Sequence, residues 1–102
     1  MTVVEHAFIH VEPERVPEFV AMFPEARAVL ASSPGFRWAE LHHGVERPGV
    51  LLLLVGWESL DAHVVGFRQS ERFPRWREHI GPFFTADPEV EHFAPAVERS
   101  TG

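Results

Sequence analysis

The sequence contains no cysteine, no lysine, no tyrosine and no asparagine. Without cysteine there is neither a disulfide bond nor a thiolate site, and we expect a cytoplasmic protein by default. The other absences leave arginine as the main basic residue and remove several side chains on which catalysis commonly depends. No apolar run approaches the roughly 20 residues of a membrane span. No basic segment precedes an apolar one at the N-terminus, so we expect neither a membrane protein nor a signal peptide.

The charge balance is acidic, with a formal net charge of −6 over 102 residues. Binding to a nucleic-acid backbone depends on clustered cations, so this balance argues against a nucleic-acid partner. The length predicts one domain that spans residues 1–102. Nine phenylalanines and three tryptophans, in a chain that is 45% hydrophobic, are sufficient for a packed core.

The segment Val50–Trp57 is apolar at both sets of alternate positions. A strand with one face in water alternates between apolar and polar residues, whereas a strand covered on both faces does not. We therefore predict that this segment is a strand in the middle of a sheet, with a cover on each side. Ser59 follows the strand and is placed to cap the next helix.

The remaining pattern predicts three more strands and three helical segments. The strands are expected at residues 3–11, 36–43 and 90–97, and the helices at about 12–31, 60–67 and 71–80. Pro24 is expected to kink or split the first helix, and Pro95 to place the last strand at an edge or a bulge. Residues from Arg99 onward are expected to form a polar tail. The order strand, helix, strand, strand, helix, strand predicts a ferredoxin-like α+β fold.

The second face of the central strand needs a cover that this fold does not supply. Helices on one side of a four-stranded sheet leave the other side in water, which would expose a large apolar patch. Each buried leucine is favourable by about 1.5–3 kcal/mol, so the drive to cover that patch is substantial. Sheet-to-sheet packing in a symmetric homodimer is the simplest cover, and we predict it.

Four segments resemble the antibiotic biosynthesis monooxygenase family of dimeric α+β barrels. They are Pro34-Gly35-Phe36, the run Val55–His63, Ser70-Glu71-Arg72-Phe73 with Trp76, and Val90–Phe93. The resemblance implies a homodimer whose sheets face each other, with a pocket in each subunit between helices and sheet. Members of the family include cofactor-independent oxygenases of polycyclic aromatics and quinols, haem-degrading enzymes, and proteins of no known activity.

The chain departs from the residues that the resemblance implies for two of these activities. The haem-degrading branch has asparagine, tryptophan and histidine where this chain has Ala7, Phe67 and Arg77, so we do not expect haem degradation. The branch that oxidises polycyclic substrates uses asparagine, tryptophan and tyrosine, of which only tryptophan is present here. A cofactor-free oxygenase must stabilise a substrate anion that gives an electron to O₂, and suitably aimed hydrogen-bond donors would do this.

Six aromatic residues and histidines are the candidates for such a pocket. The predicted catalytic residues are Trp57, His63 and Trp76, and the predicted substrate-binding residues are Phe8, Phe67 and Phe73. The imidazole of His63 would serve as a general base, while an indole N–H of one tryptophan would position the ring. The alternative for each residue is a place in the core. Four arginines, at positions 68, 72, 75 and 77, form either a solvated helix face or a site for an anionic ligand or a partner subunit.

The sequence favours neither a metal nor a cofactor. His6 and His10 would stand roughly 13 Å apart along one strand, too far for one metal ion. His42 and His43 would point to opposite faces. No glycine-rich fingerprint supports a flavin or nicotinamide site.

The function that we predict is oxygenation of a small aromatic or quinol-type metabolite without a tightly bound cofactor. One alternative is a non-catalytic domain, ligand-binding or stress-associated, that holds an apolar molecule in the same pocket. Another is a purely structural dimer with a closed core. An open cavity with converging polar groups would favour the first two hypotheses over the third.

Overall fold

The computed structural model describes residues 1–97. Its strands are β1 (Val3–His10), β2 (Phe36–His43), β3 (Val50–Trp57) and β4 (Glu89–Phe93). Its longer helices are α1 (Val16–Ala31), a π-helix (Ala62–Phe67) and α2 (Arg72–Ile80), and single 3₁₀ turns lie at Pro13–Arg15 and Gly81–Phe83. Within residues 1–97, none of these helices has both the length and the apolar character needed to cross a bilayer.

The four strands form one antiparallel sheet in the order β2-β3-β1-β4. This order and the intervening helices confirm the predicted ferredoxin-like α+β fold. The bounds predicted for β2 and β3 are confirmed to the residue. The last strand is shorter than predicted and ends at Phe93, so Pro95 lies beyond it. As its proline suggested, this strand is at an edge of the sheet. The predicted tail from Arg99 lies outside the described residues.

Helix α1 runs without a break through Pro24, so of the two predicted effects, a kink or a split, the split does not occur. Proline removes a single backbone hydrogen bond and its ring crowds the preceding turn. Here the cost is offset by packing, because Phe19, Phe23 and Ala26 are buried on the side of the helix that meets the sheet. Pro24 itself lies on the exposed side.

The connection from β3 to the π-helix depends on two small residues. Gly35 has a φ of 86°, which is the left-handed region that favours glycine, and its carbonyl accepts a hydrogen bond of 2.7 Å from the backbone N–H of Glu58. The hydroxyl of Ser59 accepts a hydrogen bond of 3.1 Å from the N–H of Ala62, which confirms the predicted cap. The helix that follows is of the π type, and the N–H of Arg68 donates to the carbonyl of His63, five residues earlier, at 2.9 Å.

The sheet has two unlike faces, which we call the covered face and the open face. The covered face packs on the helices and carries the buried side chains of β3, at Leu51, Leu53, Val55 and Trp57. The open face carries the alternate residues, and there Leu52 and Leu54 are half-buried while Phe8 and Trp38 are each 39% exposed. The chain therefore covers β3 on one side only. The homodimer that would cover the other side stays a prediction.

Candidate active site

A cavity of about 100 Å³ lies between the covered face and the helices. Its aromatic walls are Phe67, Phe73, Trp76 and Phe84, and its polar lining residues are Glu5, His63, Arg68 and Arg77. Phe67 lies at the centre of the aromatic wall, with the rings of Phe73 and Trp76 edge-on to it at centroid distances of 5.9 and 6.4 Å. The space is therefore an apolar slot with a few polar groups, as ligand sites usually are.

The innermost polar group is the carboxyl of Glu5, which is only 6% exposed. Glu5 lies on β1 in the alternation that is otherwise apolar and faces the helices. Its Oε1 accepts a hydrogen bond of 3.0 Å from the indole N–H of Trp57, a fully buried residue at the end of β3. The indole thus anchors one oxygen of the carboxyl from behind the cavity.

His63 links this carboxyl to a second histidine. Its ring stacks on Trp57, with centroids 5.0 Å apart and planes inclined by 15°. Its Nε2 lies 3.3 Å from Oε1 of Glu5, and its Nδ1 lies 2.6 Å from Nε2 of His92. A chain of polar contacts therefore runs from the buried carboxyl through His63 to His92, which is partly exposed on β4.

The neighbours of His63 determine where the ring protons lie. Nε2 of His63 lies 3.3 Å from Oε1 of Glu5 without forming a hydrogen bond, and a proton on Nε2 is the arrangement that avoids facing two acceptors toward each other. A neutral imidazole with a proton on Nε2 accepts at Nδ1, and His92 therefore donates its Nε2–H to that atom. In this arrangement the Nε2–H of His92 points toward His63, and the Nε2–H of His63 lies on the side of the Glu5 carboxyl.

Glu5 lines the cavity, and its second carboxyl oxygen, Oε2, is the less constrained of the two. No hydrogen bond among residues 1–97 reaches Oε2, in contrast to the two groups that face Oε1. Within the same residues, the one fully enclosed side-chain nitrogen or oxygen without a partner is the hydroxyl of Ser33. Oε2 is therefore accessible rather than sealed, and it is free to accept a proton from a molecule in the cavity.

Burial raises the pKa of the carboxyl in this series of contacts and lowers the pKa values of the two histidines. Desolvation raises the pKa of Glu5 above its usual value, against the lowering effects of the Trp57 hydrogen bond and the charge of Arg68. Desolvation, followed by the charges of His92 and Arg68, lowers the pKa of His63 to about 3. The pKa of His92 is also lowered, first by burial and then by Arg68. At neutral pH His63 is thus uncharged, and the carboxyl is the group whose proton affinity has increased.

The fold brings these three side chains together from distant parts of the sequence. Glu5 and His92 are directly paired across β1 and β4, on the same face of the sheet. His63 comes from the π-helix, a form of helix that is rare and concentrated at functional sites. Its wider turn buries His63 and Phe67 side by side against the sheet.

The sequence model described as antibiotic biosynthesis monooxygenase matches residues 2–79. The chain belongs to that family. YczJ, an uncharacterized protein of Bacillus subtilis (strain 168), is 34% identical to this family member over 89 residues, which cover 87% of this chain and 94% of YczJ.

Solved structures of the same family have the same fold. The "Putative antibiotic biosynthesis monooxygenase" of Bordetella bronchiseptica has a TM-score of 0.89 and 35% identity, covering 94% of this chain and 98% of that one. A mutant of SnoaB, a cofactor-independent oxygenase from Streptomyces nogalater, has a TM-score of 0.77 and covers 95% of each chain. At 19% identity, its likeness to this family member is one of fold alone.

Four of the six residues that the sequence nominated line the cavity, namely His63, Phe67, Phe73 and Trp76. Trp57 does not line it, because its indole lies behind His63 and bonds to Glu5. The placement predicted for Phe8 was wrong: this residue lies on the open face, opposite Leu52. Alternation along β1 explains the error, since Glu5 and its partners at odd positions face the helices and Phe8 points the other way.

Two residues of the site were not predicted from the sequence. They are Glu5, which lines the cavity, and His92, which contacts His63. The available signal was a charged residue, Glu5, at the otherwise apolar alternation of β1. Among residues 1–97, no group of three or more histidine, aspartate or glutamate side chains is arranged to hold a metal ion. Glu5, His63 and His92 contact one another in series instead of converging on one point.

Proposed function

We propose that the protein is a cofactor-independent oxygenase that converts a small hydroxylated aromatic compound to a quinone with molecular oxygen. Family membership supports the class of reaction, and a relative of the same fold, SnoaB, is a cofactor-independent oxygenase. The observation that carries the proposal is the buried carboxyl of Glu5, which lines an aromatic cavity and leaves Oε2 without a hydrogen bond within the described part of the chain.

In the first step, Oε2 of Glu5 takes the proton of the substrate hydroxyl. The Trp57 N–H donates to Oε1, and His63 Nε2 lies 3.3 Å from the same oxygen, so Oε2 is the oxygen left without a hydrogen bond among residues 1–97. A carboxyl whose pKa is raised toward neutrality by burial is a better general base than an ordinary one. This assigns to Glu5 the role that the sequence suggested for His63, whose pKa is too low for a base at neutral pH.

The substrate anion then supplies the electrons for the reaction. It transfers one electron to O₂, and the two radicals combine to form a carbon–oxygen bond at the ring carbon opposite the hydroxyl. Loss of the hydrogen at that carbon and cleavage of the oxygen–oxygen bond give the quinone and hydroxide, which takes the proton from Glu5 and leaves as water. One phenol and one O₂ thus give one quinone and one water, with no external reductant.

The remaining residues position the ring and donate hydrogen bonds. Trp76 lines the cavity, and no described residue in 1–97 accepts a hydrogen bond from its indole N–H, so that group is available to a substrate oxygen. Phe67 and Phe73 supply the walls. Trp57 acts through Glu5 and is a positioning residue.

The volume of the cavity limits the size of the substrate. An apolar cavity of about 150 Å³ accommodates benzene, and the space here is about 100 Å³. A single ring, accommodated with small movements of the exposed lining side chains, is the substrate size that this volume supports. A polycyclic substrate is disfavoured for the same reason.

An oxygen-uptake assay over simple phenols and quinols tests the proposal. With a phenol that is turned over, we expect Glu5→Gln to lower kcat by about 10²–10⁴-fold, the usual contribution of a general base. The amide keeps the shape of the carboxyl and its acceptor oxygen but cannot take the proton. Leu60→Ala, a change at an exposed residue outside the cavity, is the matched control. Uptake by Glu5→Gln at the wild-type rate would contradict the assignment.

Binding of an aromatic ligand without turnover is the second candidate function. It is favoured by the absence of any asparagine or tyrosine, the residues that the resemblance implies for the oxidising branch. Saturable binding of phenols under air, with no oxygen consumed and no quinone formed, would establish this function and exclude the first.

A further inference from the structure

Two arginines line the solvent side of the cavity. Arg68 follows the π-helix and Arg77 lies on α2; both side chains are exposed and both contribute to the lining. The four ion pairs formed by residues 1–97 include neither of them. The protein has fifteen acidic and nine basic residues, so two cations beside one cavity with no carboxylate partner within residues 1–97 are unexpected for a solvated helix surface.

A ring contact of Arg77 and the electrostatic effect of Arg68 associate the two cations with the cavity. The guanidinium of Arg77 lies 5.3 Å from the ring centroid of Phe84, another lining residue, which holds it at the wall. The charge of Arg68 acts on Glu5, His63 and His92, so its field extends to the inner end of the cavity. The guanidinium groups are therefore part of the electrostatics of the site.

The other two arginines of this region differ. Arg72 donates through Nε to the hydroxyl of Ser32 at 3.1 Å, and Arg75 is exposed and does not line the cavity. Arg75 lies on the same helix as Arg77, two residues away, and carries the same charge. It is an internal control for any effect of net charge alone.

We infer that the cavity binds a monocyclic aromatic carboxylate, with the carboxylate held by Arg68 and Arg77 and the ring against the aromatic wall that contains Phe67. A guanidinium group recognises a carboxylate through paired, charge-assisted hydrogen bonds. The aromatic walls select the ring, and the two cations offset the charge that an anion would bring toward Glu5. The position of a ring hydroxyl at Glu5 rests on the proposed function, whereas recognition of the carboxylate does not.

Isothermal titration under argon tests this inference without turnover. The probes are 3-hydroxybenzoate and 3-hydroxybenzamide, which have nearly the same shape, differ in charge, and keep a hydrogen on the ring carbon opposite the hydroxyl. We expect the wild-type protein to bind the carboxylate at least about tenfold more tightly than the amide, because hydrogen bonds between charged groups are stronger than neutral ones. Arg68→Gln and Arg77→Gln should each reduce this preference severalfold, and the double variant should abolish it, whereas Arg75→Gln should retain it.

Three results would overturn the inference. They are equal affinity for the two probes, no binding of the carboxylate at millimolar concentration, and an equal loss of preference in Arg75→Gln and Arg77→Gln. Circular dichroism of each variant establishes that these surface changes leave the fold intact. Failure of the oxygenase is a separate result: a protein that binds 3-hydroxybenzoate through its arginines and never consumes oxygen retains the carboxylate site and lacks the proposed reaction.

Discussion

The two faces of strand β3 are both lined with apolar residues but have different surroundings. On the covered face of β3, Leu51 is 1% exposed and Val55 is fully buried. On the open face, Leu52 and Leu54 alternate with them along the same strand and remain half-buried. The difference arises from the helices, which pack on one side only.

Both faces also carry histidine and glutamate, and the contrast there is chemical. On the open face His10 and Glu89 form a contact of 3.0 Å in which the carboxylate is 72% exposed. On the covered face Glu5 and His63 are almost fully buried, and desolvation moves their pKa values toward the neutral forms. The same residue types form a solvated polar contact on one face and a buried, desolvated one on the other.

The largest effect that we expect follows from placing a charge on the open face. If this face pairs with a second copy of the chain, Phe8→Asp buries two carboxylates at the interface, at a cost of several kcal/mol. Sedimentation equilibrium at micromolar concentration should give twice the chain mass for the wild type and the mass of one chain for the variant. Val20→Asp is the control, because Val20 is 37% exposed, much as Phe8 is at 39%, but lies on α1. A wild-type protein of single-chain mass would refute the homodimer.

Truncating neighbouring leucines of β3 compares the faces directly. Leu51→Ala should lower the free energy of unfolding by about 2–5 kcal/mol, since it removes a fully buried side chain. Leu52→Ala should cost less, and its cost should increase with protein concentration if the dimer exists. Urea unfolding at two protein concentrations measures both. Equal, concentration-independent losses would mean that the open face is covered within one chain.

Acidification should weaken the covered face through His63. Its pKa is about 3 in the folded protein and roughly 6.5 when unfolded. The unfolded state therefore binds the extra proton first, and stability is lost as the pH falls from about 6.5 to about 3. We expect about 2 kcal/mol, after allowance for solvent that enters the cavity. Glu5 acts in the opposite sense, because its raised pKa lowers stability as the pH rises above its unfolded value.

The His63→Gln variant isolates the contribution of His63 to the pH dependence of stability. Its free energy of unfolding should vary less between pH 6.5 and pH 4 than that of the wild type, as measured by urea unfolding at each pH. An unchanged slope would show that His63 is solvated in the folded protein.

The smallest effect concerns the cap of the π-helix, which closes the covered face. Ser59→Ala removes the acceptor of the Ala62 N–H and should cost about 1 kcal/mol of stability. Ser59→Asp, which restores an acceptor, should recover most of this loss in thermal unfolding. A cap that matters only to the helix end would leave oxygen uptake unchanged in both variants.

The sequence determined the strands more closely than the helices. An apolar run located β3, and the turn signals on either side of β2 located that strand, because the two strands form one local hairpin. The interruption expected at Pro24 did not occur, since packing of Phe19 and Phe23 on the sheet outweighs one lost hydrogen bond. The π-type hydrogen bond from Arg68 to His63 has no signature in the residue pattern.

The candidate site could be predicted only in part, because some of its contacts join residues that are far apart in the sequence. Helical spacing placed His63, Phe67 and Trp76 toward the sheet, and all three line the cavity or its walls. The contact of His63 with Glu5 and His92 depends on the pairing of β1 with β4, which are separated by most of the chain. Sequence patterns indicate which face a residue occupies, but not its neighbour across a non-local strand pair.

The pairing of Glu5 with His92 couples the interior of the protein to its most loosely held strand. β4 is five residues long and hydrogen-bonds on one side only, and edge segments of this kind open locally without global unfolding. Each opening separates His92 from His63 and admits water to the polar chain. Amide hydrogen exchange along β4 would therefore report how often solvent reaches the buried carboxyl of Glu5.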